Sequence, residues 1–434
     1  MKAAGVFRRT HFCVFSVFFK KHLLSLFQSQ MNMEKLFARH DQIIRDVPME
    51  YIRDFEDKID WEARLSMIKG PKGVGKSTLI QQHIRKSFGP GNRKALYCSA
   101  DSGYFTTHTL VETAEEFIKL GGTHLFIDEV HKYDGWSREV KDIYDTYRNL
   151  KLVLSGSSLL QLNDGKADLS RRVSERVMPG LSFREFLLFD AGIHLDPYPL
   201  EDLLRAPSVL CSSVLQECHP LEFFRNYLEY GYYPFFLESR KDYASRVENV
   251  VNYIIDTELT RHRGLDVGNT RKVKALLQVL SVMLPYEVDI AKLSRTIGIE
   301  RKTVLKYLTY LEEANLIRRL FTDLDSITDL QKPDKILLDN TNLLFTLSPA
   351  LTPEIGTVRE TFLCNQIGAT GQRIEYGGLK TGDFRVGGKV VIEVGGSDKG
   401  FEQILGEKDA YVAADGIESA VSRKIPLWAF GFLY

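Results

Sequence analysis

Gly70-Pro71-Lys72-Gly73-Val74-Gly75-Lys76-Ser77 fits the pattern G-x-x-x-x-G-K-[ST] without a departure. Glycines at these positions let the backbone curl until successive N–H groups face one anion. A lysine at Lys76 then reaches the β- and γ-phosphates of a nucleotide, and a hydroxyl at Ser77 takes a place on Mg²⁺. The segment Gly70 to Thr78 is therefore expected to bind ATP with Mg²⁺. A glycine-rich structural turn would have no need of lysine and then serine at that spot.

The flanking sequence suits this chemistry. Ala63 to Ile68 reads as a strand before the loop, and Thr78 to Ile84 as a helix after it, whose N-terminal dipole favours phosphate. Lys94 to Ser99, Thr123 to Ile127 and Lys151 to Leu154 read as further strands. Leu110 to Leu120 and Trp136 to Tyr147 read as helices between them. Strands alternating with helices predict a parallel sheet covered on both faces. Asp128 ends the Thr123–Ile127 strand, at the carboxyl edge where ligands of such sheets bind. It is placed to hold the Mg²⁺ water shell that Ser77 completes, and Glu129 to polarise the attacking water. The interval from Ser77 to Asp128 leaves room for one extra strand, Ala95 to Ser99, as in P-loop proteins with a catalytic glutamate. Ser155 and Ser157 follow the next strand, where a small hydroxyl could sense the γ-phosphate or the lytic water. A strand-end turn accounts for Ser155-Gly156-Ser157 as well. Arg171-Arg172 could bring positive charge to the transition state, the role of an arginine finger, or be ordinary surface arginines. Asp128-Glu129-Val130-His131 echoes the acidic box of superfamily 2 helicases, but the chain shows no second motor domain to go with it.

The composition narrows the classes. Over 434 residues, Lys+Arg and Asp+Glu balance at 57 each, so any nucleic-acid surface must be local. Five scattered cysteines without a C-x-x-C suggest a reducing compartment and no disulfide framework. The apolar run Phe12 to Phe19 is too short to span a bilayer, and Lys20-Lys21-His22 does not fit a signal-peptide cleavage site. It reads as a basic amphipathic anchor or, as we prefer, as part of a poorly structured extension over 1–33. A soluble cytoplasmic protein with no membrane span is expected.

Ala191 to Arg263 is helical and aromatic in pattern. Asp289 to Ile299 followed by Glu300 to Leu316 reads as two helices joined by a tight turn at Gly298, and Leu316 to Phe321 as the first strand of a wing. Arg301, Lys302, Lys306, Arg318 and Arg319 would form a local basic patch for duplex DNA. The alternative is a winged helix used as a structural lid or a protein-docking surface. The last hundred residues read as strands at Lys335 to Leu338, Leu343 to Thr346, Gly388 to Val394 and Ile425 to Gly431.

Taken in order, several segments resemble a family of prokaryotic AAA-type ATPases that carry a C-terminal DUF4143-like domain. They are Gly70 to Ser77, Leu125 to Val130, Leu154 to Ser158, Leu181 to Phe186, Tyr227 to Gly231, and Leu338-Asp339-Asn340 leading to Ile392-Glu393-Val394. The resemblance runs from about Met33 nearly to the end. It implies that Arg172 matches the arginine of the family's Leu-Ser-Gly-Arg, with Arg171 standing where the glycine does. It also implies a restriction-endonuclease-like fold at the C-terminus. Nucleases of that fold set Asp and then Glu-x-Lys around Mg²⁺. Glu375, Asp383 and Glu393 are the acidic residues on apparent strands here; Glu393-Val394-Gly395 lacks the lysine, which Lys399 could supply.

The combined expectation is an α/β chain in five parts. Residues 34–190 form an AAA-type P-loop ATPase domain with a parallel sheet and helices on both faces. A helical connector (191–268), a winged helix-turn-helix (269–328) and a small α/β domain (329–434) complete the chain after the N-terminal extension. The expected activity is ATP hydrolysis with Mg²⁺, as a switch or motor coupled to the winged helix, with duplex DNA, a protein partner or a homo-oligomer as associates. Gly70 to Thr78 bind ATP, Ser77 and Asp128 hold the metal, and Lys76, Glu129, Ser155 and Arg172 carry the catalysis. The alternatives are an ATP-gated Mg²⁺-dependent nuclease using Asp383 and Glu393, and a DNA-binding regulator that holds ATP without hydrolysing it. We prefer a binding or regulatory C-terminal domain to a live nuclease.

Overall fold

Leu65–Lys69 (β1) is buried along its whole length, as a strand covered on both faces must be. It is the fourth strand of a five-stranded parallel sheet with Ala95–Ser99 (β2), His124–Asp128 (β3), Lys151–Gly156 (β4) and Ser174–Val177 (β5), in the order β2-β3-β4-β1-β5. The computed structural model describes residues 33–156, 169, 171–283, 288–322, 331–348, 352–378 and 381–434. Of the expected extension over 1–33, residues 1–32 lie outside them, as does Ser157, while Met33 begins a helix. The described residues divide into two compact units. One comprises 33–69, 76–156, 169 and 171–177; the other comprises Gly70–Gly75 and Met178–Tyr434.

In the first unit, helices 33–46, Lys76–Ser87, Leu110–Lys119 and Trp136–Thr146 accompany the sheet. Met33, Leu36 and Phe37 join the core made by Leu96, Phe117, Leu125, Ile127, Val140 and Leu152. Thr109 and Glu112 close a capping box that starts Leu110–Lys119 where the apolar periodicity begins. Ala95–Ser99 is the extra strand in sequence, but in space it lies at the sheet edge. The strand between β1 and β3 is β4, because β4 pairs with both. β5 has no counterpart among the expected strands: Ser174-Glu175-Arg176-Val177 is polar and half-exposed and lacks a strand's apolar signature.

In the second unit, the helix Phe183–Ala191 precedes the stretch expected to be helical, and Leu200–Arg205, Pro207–Glu217, Pro220–Tyr230 and Tyr243–Tyr253 are helices within it. Helices Ile290–Ile297 and Arg301–Glu313 flank Gly298, whose φ of 71° makes the turn. Ile317–Leu320 (β6) then pairs antiparallel with Lys335–Leu338 (β7). The C-terminal sheet holds Ile374–Tyr376 (β8), Phe384–Val386 (β9), Val390–Gly395 (β10), Ala410–Ala414 (β11) and Lys424–Pro426 (β12), in the order β12-β11-β10-β9-β8. β8, β9 and β10 run antiparallel, and β10, β11 and β12 parallel.

Two strand expectations fail. Leu343 to Thr346 lies in the helix Thr341–Leu347, because Asn340 accepts the Leu343 N–H and caps it. Leu427–Phe432 is 3₁₀-helical, so only Ile425 and Pro426 of that run are in a strand. Two of the residues expected to contact DNA are engaged within the chain. Arg318 is paired with buried Asp339 at 3.1 Å, and Arg319 with Glu312 at 2.7 Å.

His40 is wholly buried in the helix 33–46, and its Nδ1 accepts the Tyr97 N–H at 2.9 Å. Burial pushes the imidazole down to about 4 from its ordinary 6.5. Between those values the unfolded chain binds a proton that the fold excludes, so stability falls as pH drops through this window. At pH 5 the loss from His40 is about 2 kcal/mol. His40→Asn keeps an acceptor but does not titrate. Its melting temperature should fall less between pH 7 and pH 5 than that of the wild type. An equal fall in both would show that His40 does not carry this dependence.

Candidate nucleotide site

The loop Gly70–Gly75 joins β1 to the helix Lys76–Ser87. Gly70, Gly73 and Gly75 take φ of 146°, 88° and 96°, values that side chains disfavour. At Gly70 a Cβ would lie 2.2 Å from the Met178 carbonyl oxygen, so no other residue fits. Val74 is fully buried, and Lys72 lies 4.2 Å over the Tyr253 ring. Lys76 opens the helix and is itself buried; Ser77 and Thr78 follow in the first turn, half-buried. A helix N-terminus preceded by such a loop presents backbone N–H groups to an anion. At the end of β1, Lys69 is buried and paired with Glu175 of β5 at 2.7 Å.

Asp128 is the last residue of β3 and only 4% exposed. Its Oδ2 accepts the Tyr97 hydroxyl at 2.7 Å, and its Oδ1 accepts the Ser155 hydroxyl. Gln81, on the helix after the loop, donates to the Tyr97 oxygen at 2.9 Å. Burial, and then the charge of Asp128, raise the Tyr97 phenol well above its ordinary range, so it remains a donor. The same two causes push the Cys98 thiol up to about 12, which keeps it unreactive.

Glu129 lies in the left-handed region, with φ 53° and ψ 37°. For a residue with a Cβ this is a strained conformation. It is fixed by the Glu129 N–H, which donates to Ser155 Oγ and Asp128 Oδ1 at 3.1 Å each. Its Oε2 lies 3.5 Å from both His131 Nε2 and Lys132 Nζ, and Lys132 also binds Asp101 at 2.6 Å.

Asp128, Glu129 and Ser155 thus come together as one hydrogen-bonded group. Ser155 lies within β4 rather than after it, and its hydroxyl is engaged by Asp128 and the Glu129 backbone. Arg172 spans both oxygens of Asp145 at 3.3 Å, on the helix Trp136–Thr146. Sequence reading misses Tyr97, Gln81, Lys132 and Asp101. The hydroxyl in the otherwise apolar run Ala95 to Cys98 is the available signal for Tyr97. A hydroxyl at Ser77 and a carboxylate at Asp128 are hard oxygen donors of the kind Mg²⁺ takes, and neutral donors leave the Asp128 charge in place.

Residues 62–187 match the model of an AAA domain, and residues 221–352 match a domain of unknown function, DUF8612, rather than the DUF4143-like domain expected. An uncharacterized protein of Methanocaldococcus jannaschii is 21% identical over 277 residues; the match covers 61% of this chain and 58% of that protein, less than two thirds of either. Among solved structures, the Walker-type ATPase PABY2304 of Pyrococcus abyssi aligns over 66% of this chain and 91% of its own, at 13% identity and a TM-score of 0.38. AMPPCP-bound DnaA from Aquifex aeolicus aligns over 60% and 85%, at 16% identity and a TM-score of 0.24. The first segment is thus AAA-like in sequence, on a five-stranded parallel α/β sheet. No described helix is long and apolar enough to cross a membrane.

Tyr97→Phe removes one of the two hydroxyl donors to a buried carboxylate. Urea denaturation should show a loss of about 1–3 kcal/mol. An unchanged midpoint would mean that the hydroxyl does not support Asp128.

Proposed function

We propose that this chain binds ATP with Mg²⁺ and hydrolyses it, using the cycle as a switch or motor. The observation that carries the reading is the loop of three positive-φ glycines feeding Lys76 and Ser77 into a helix N-terminus, on a sheet whose Asp128 is held by two hydroxyls. The match of residues 62–187 to an AAA domain supports it. Lys76 grips the phosphates. Ser77 and Asp128 would hold Mg²⁺, which would supply positive charge to the phosphates when bound. Glu129 accepts a proton from the attacking water, and Ser155 positions Glu129 and Asp128 rather than sensing phosphate. Arg172, engaged by Asp145, would serve only as a finger toward a neighbouring copy. The product is ADP and inorganic phosphate.

Glu129→Gln should bind ATP with unchanged affinity and turn over at least about 100-fold more slowly, the scale of a missing general base. Lys76→Ala should fail to bind. A normal rate in either variant, measured by phosphate release, would overturn the assignment.

The second unit supports a DNA-associated role through a smaller patch than the sequence suggests. Arg301, Lys302 and Lys306 are exposed on the helix Arg301–Glu313, two of them in its first turn after the Gly298 turn. A winged helix of this kind would place that helix in a major groove. Lys302→Ala with Lys306→Ala should lower duplex affinity and flatten its salt dependence by about one unit of slope for each phosphate the variant no longer neutralises. Unchanged binding in a salt titration would assign this face to another partner.

A further inference from the structure

Glu129 shares its surroundings with a lysine that the proposed chemistry does not use. Lys132 ends the 3₁₀ turn Val130–Lys132, which follows Glu129 directly. The turn is pinned to the sheet: Val130 is fully buried, and the Lys132 N–H donates to the Glu129 carbonyl at 2.9 Å. On such a turn, side chains three residues apart lie one above the other. Lys132 Nζ accordingly stands 3.5 Å from Glu129 Oε2. The Lys132 side chain is only 16% exposed, so little water reaches its ammonium and a carboxylate partner matters to it.

Asp101 meets the same ammonium from the neighbouring strand. β2 pairs with β3 as far as Ser99 opposite Asp128, and just beyond it the Ala100 N–H donates to the Asp128 carbonyl at 2.8 Å. The Asp101 N–H then donates to Ser99 Oγ at 3.3 Å, and the Ser102 N–H to the Ser99 carbonyl at 3.0 Å. These bonds keep the loop beside the end of β3. From there Asp101 Oδ2 accepts from Lys132 Nζ at 2.6 Å, with the Asp101 side chain 57% exposed.

The two distances rank the partners. The 2.6 Å contact with Asp101 is a charge-assisted hydrogen bond, whereas the 3.5 Å approach to Glu129 is an attraction without one. Glu129 Oε2 is buried and accepts no hydrogen bond, with His131 Nε2 also 3.5 Å away. A general base needs a free lone pair within reach of the water it deprotonates. An ammonium drawn in to hydrogen-bond distance would occupy that lone pair. An ion pair with an exposed partner is worth little, so Lys132 can pass from Asp101 to Glu129 at small cost. We propose that Lys132 is a latch on Glu129, held open by Asp101. While the Asp101 pair is made, the ammonium stands off and Glu129 can take its proton. When the pair is broken, Lys132 closes on Glu129 Oε2 and hydrolysis slows with nucleotide still bound. Lys132 and Asp101 are positioning residues, and the inference rests on the reading of Glu129 as the base of an ATPase.

The test compares phosphate release from ATP with calorimetric binding of a slowly hydrolysed ATP analogue, both with Mg²⁺ and the full chain. Asp101→Asn should bind the analogue as the wild type does and turn over roughly tenfold more slowly, a part of the loss expected for a missing base. Adding Lys132→Met to Asp101→Asn should restore most of the rate, which a merely structural Asp101 would not allow. Asp101→Glu, which keeps a carboxylate, should lose less than Asp101→Asn. A wild-type rate in Asp101→Asn, loss of analogue binding in it, or a slow rate that Lys132→Met leaves slow overturns the latch and leaves the ATPase reading standing. A wild type that binds no analogue, or Glu129→Gln with a normal rate, overturns both.

Discussion

A carboxylate at the end of a buried strand governs the first unit. Asp128 is almost out of water, and a charge in that position must be hydrogen-bonded or it is lost to protonation or to local unfolding. The fold meets the demand with two neutral hydroxyls, one from each neighbouring strand: Tyr97 on β2 and Ser155 on β4. Neutral donors satisfy the oxygens without cancelling the charge. An arginine or lysine would have satisfied them equally well and would have left nothing for a cation to answer. The strand order thus has a chemical consequence, because only a β3 flanked by β2 and β4 receives both hydroxyls.

The same group of bonds sets the next residue. Glu129 is in a conformation that residues with a side chain avoid, and its N–H is held by Ser155 and Asp128. Strain of this kind persists where surrounding bonds over-determine it. Here those bonds belong to the strand ends, so the direction of Glu129 follows from the register of the sheet. His131, Lys132 and Asp101 then surround the carboxylate with charge of both signs.

These relations divide what is legible in the sequence from what is not. Gly70 to Ser77 is legible because the loop is local: eight consecutive residues contain the whole pattern. Asp128 and Glu129 are legible because a strand ending in two acids is local too. Tyr97 and Gln81 are not, because their role depends on which strand lies beside β3 and which helix face meets β2. Ser155 stands out by its position, but its hydrogen bonds to Asp128 and the Glu129 backbone depend on how the strands lie side by side. Arg318 and Arg319 read as surface charge in one dimension, and only the fold sets Asp339 and Glu312 against them. Two of the segments that carry the family resemblance, Leu181 to Phe186 and Tyr227 to Gly231, meet in the fold. Tyr227 donates to the Leu181 carbonyl at 2.8 Å, and the Asn342 amide donates to the carbonyls of Tyr227 and Leu228. Gly231 is required because a Cβ would lie 2.5 Å from the Tyr227 ring. Such segments hold the second unit together.

The two acidic sites differ in how their negative charge is balanced, and the difference separates a finished arrangement from an open one. Around Asp128, each carboxylate oxygen has a donor, and the donors are neutral, so the group is stable as it stands and still negative. Around Glu393 the donor is a lysine at one oxygen only, and the other oxygen has no hydrogen to accept, with Asp383 opposite on the neighbouring strand. A chain can sustain the first indefinitely, since both oxygens of Asp128 itself are compensated. The second carries the cost of an uncompensated oxygen and of two like charges set close together.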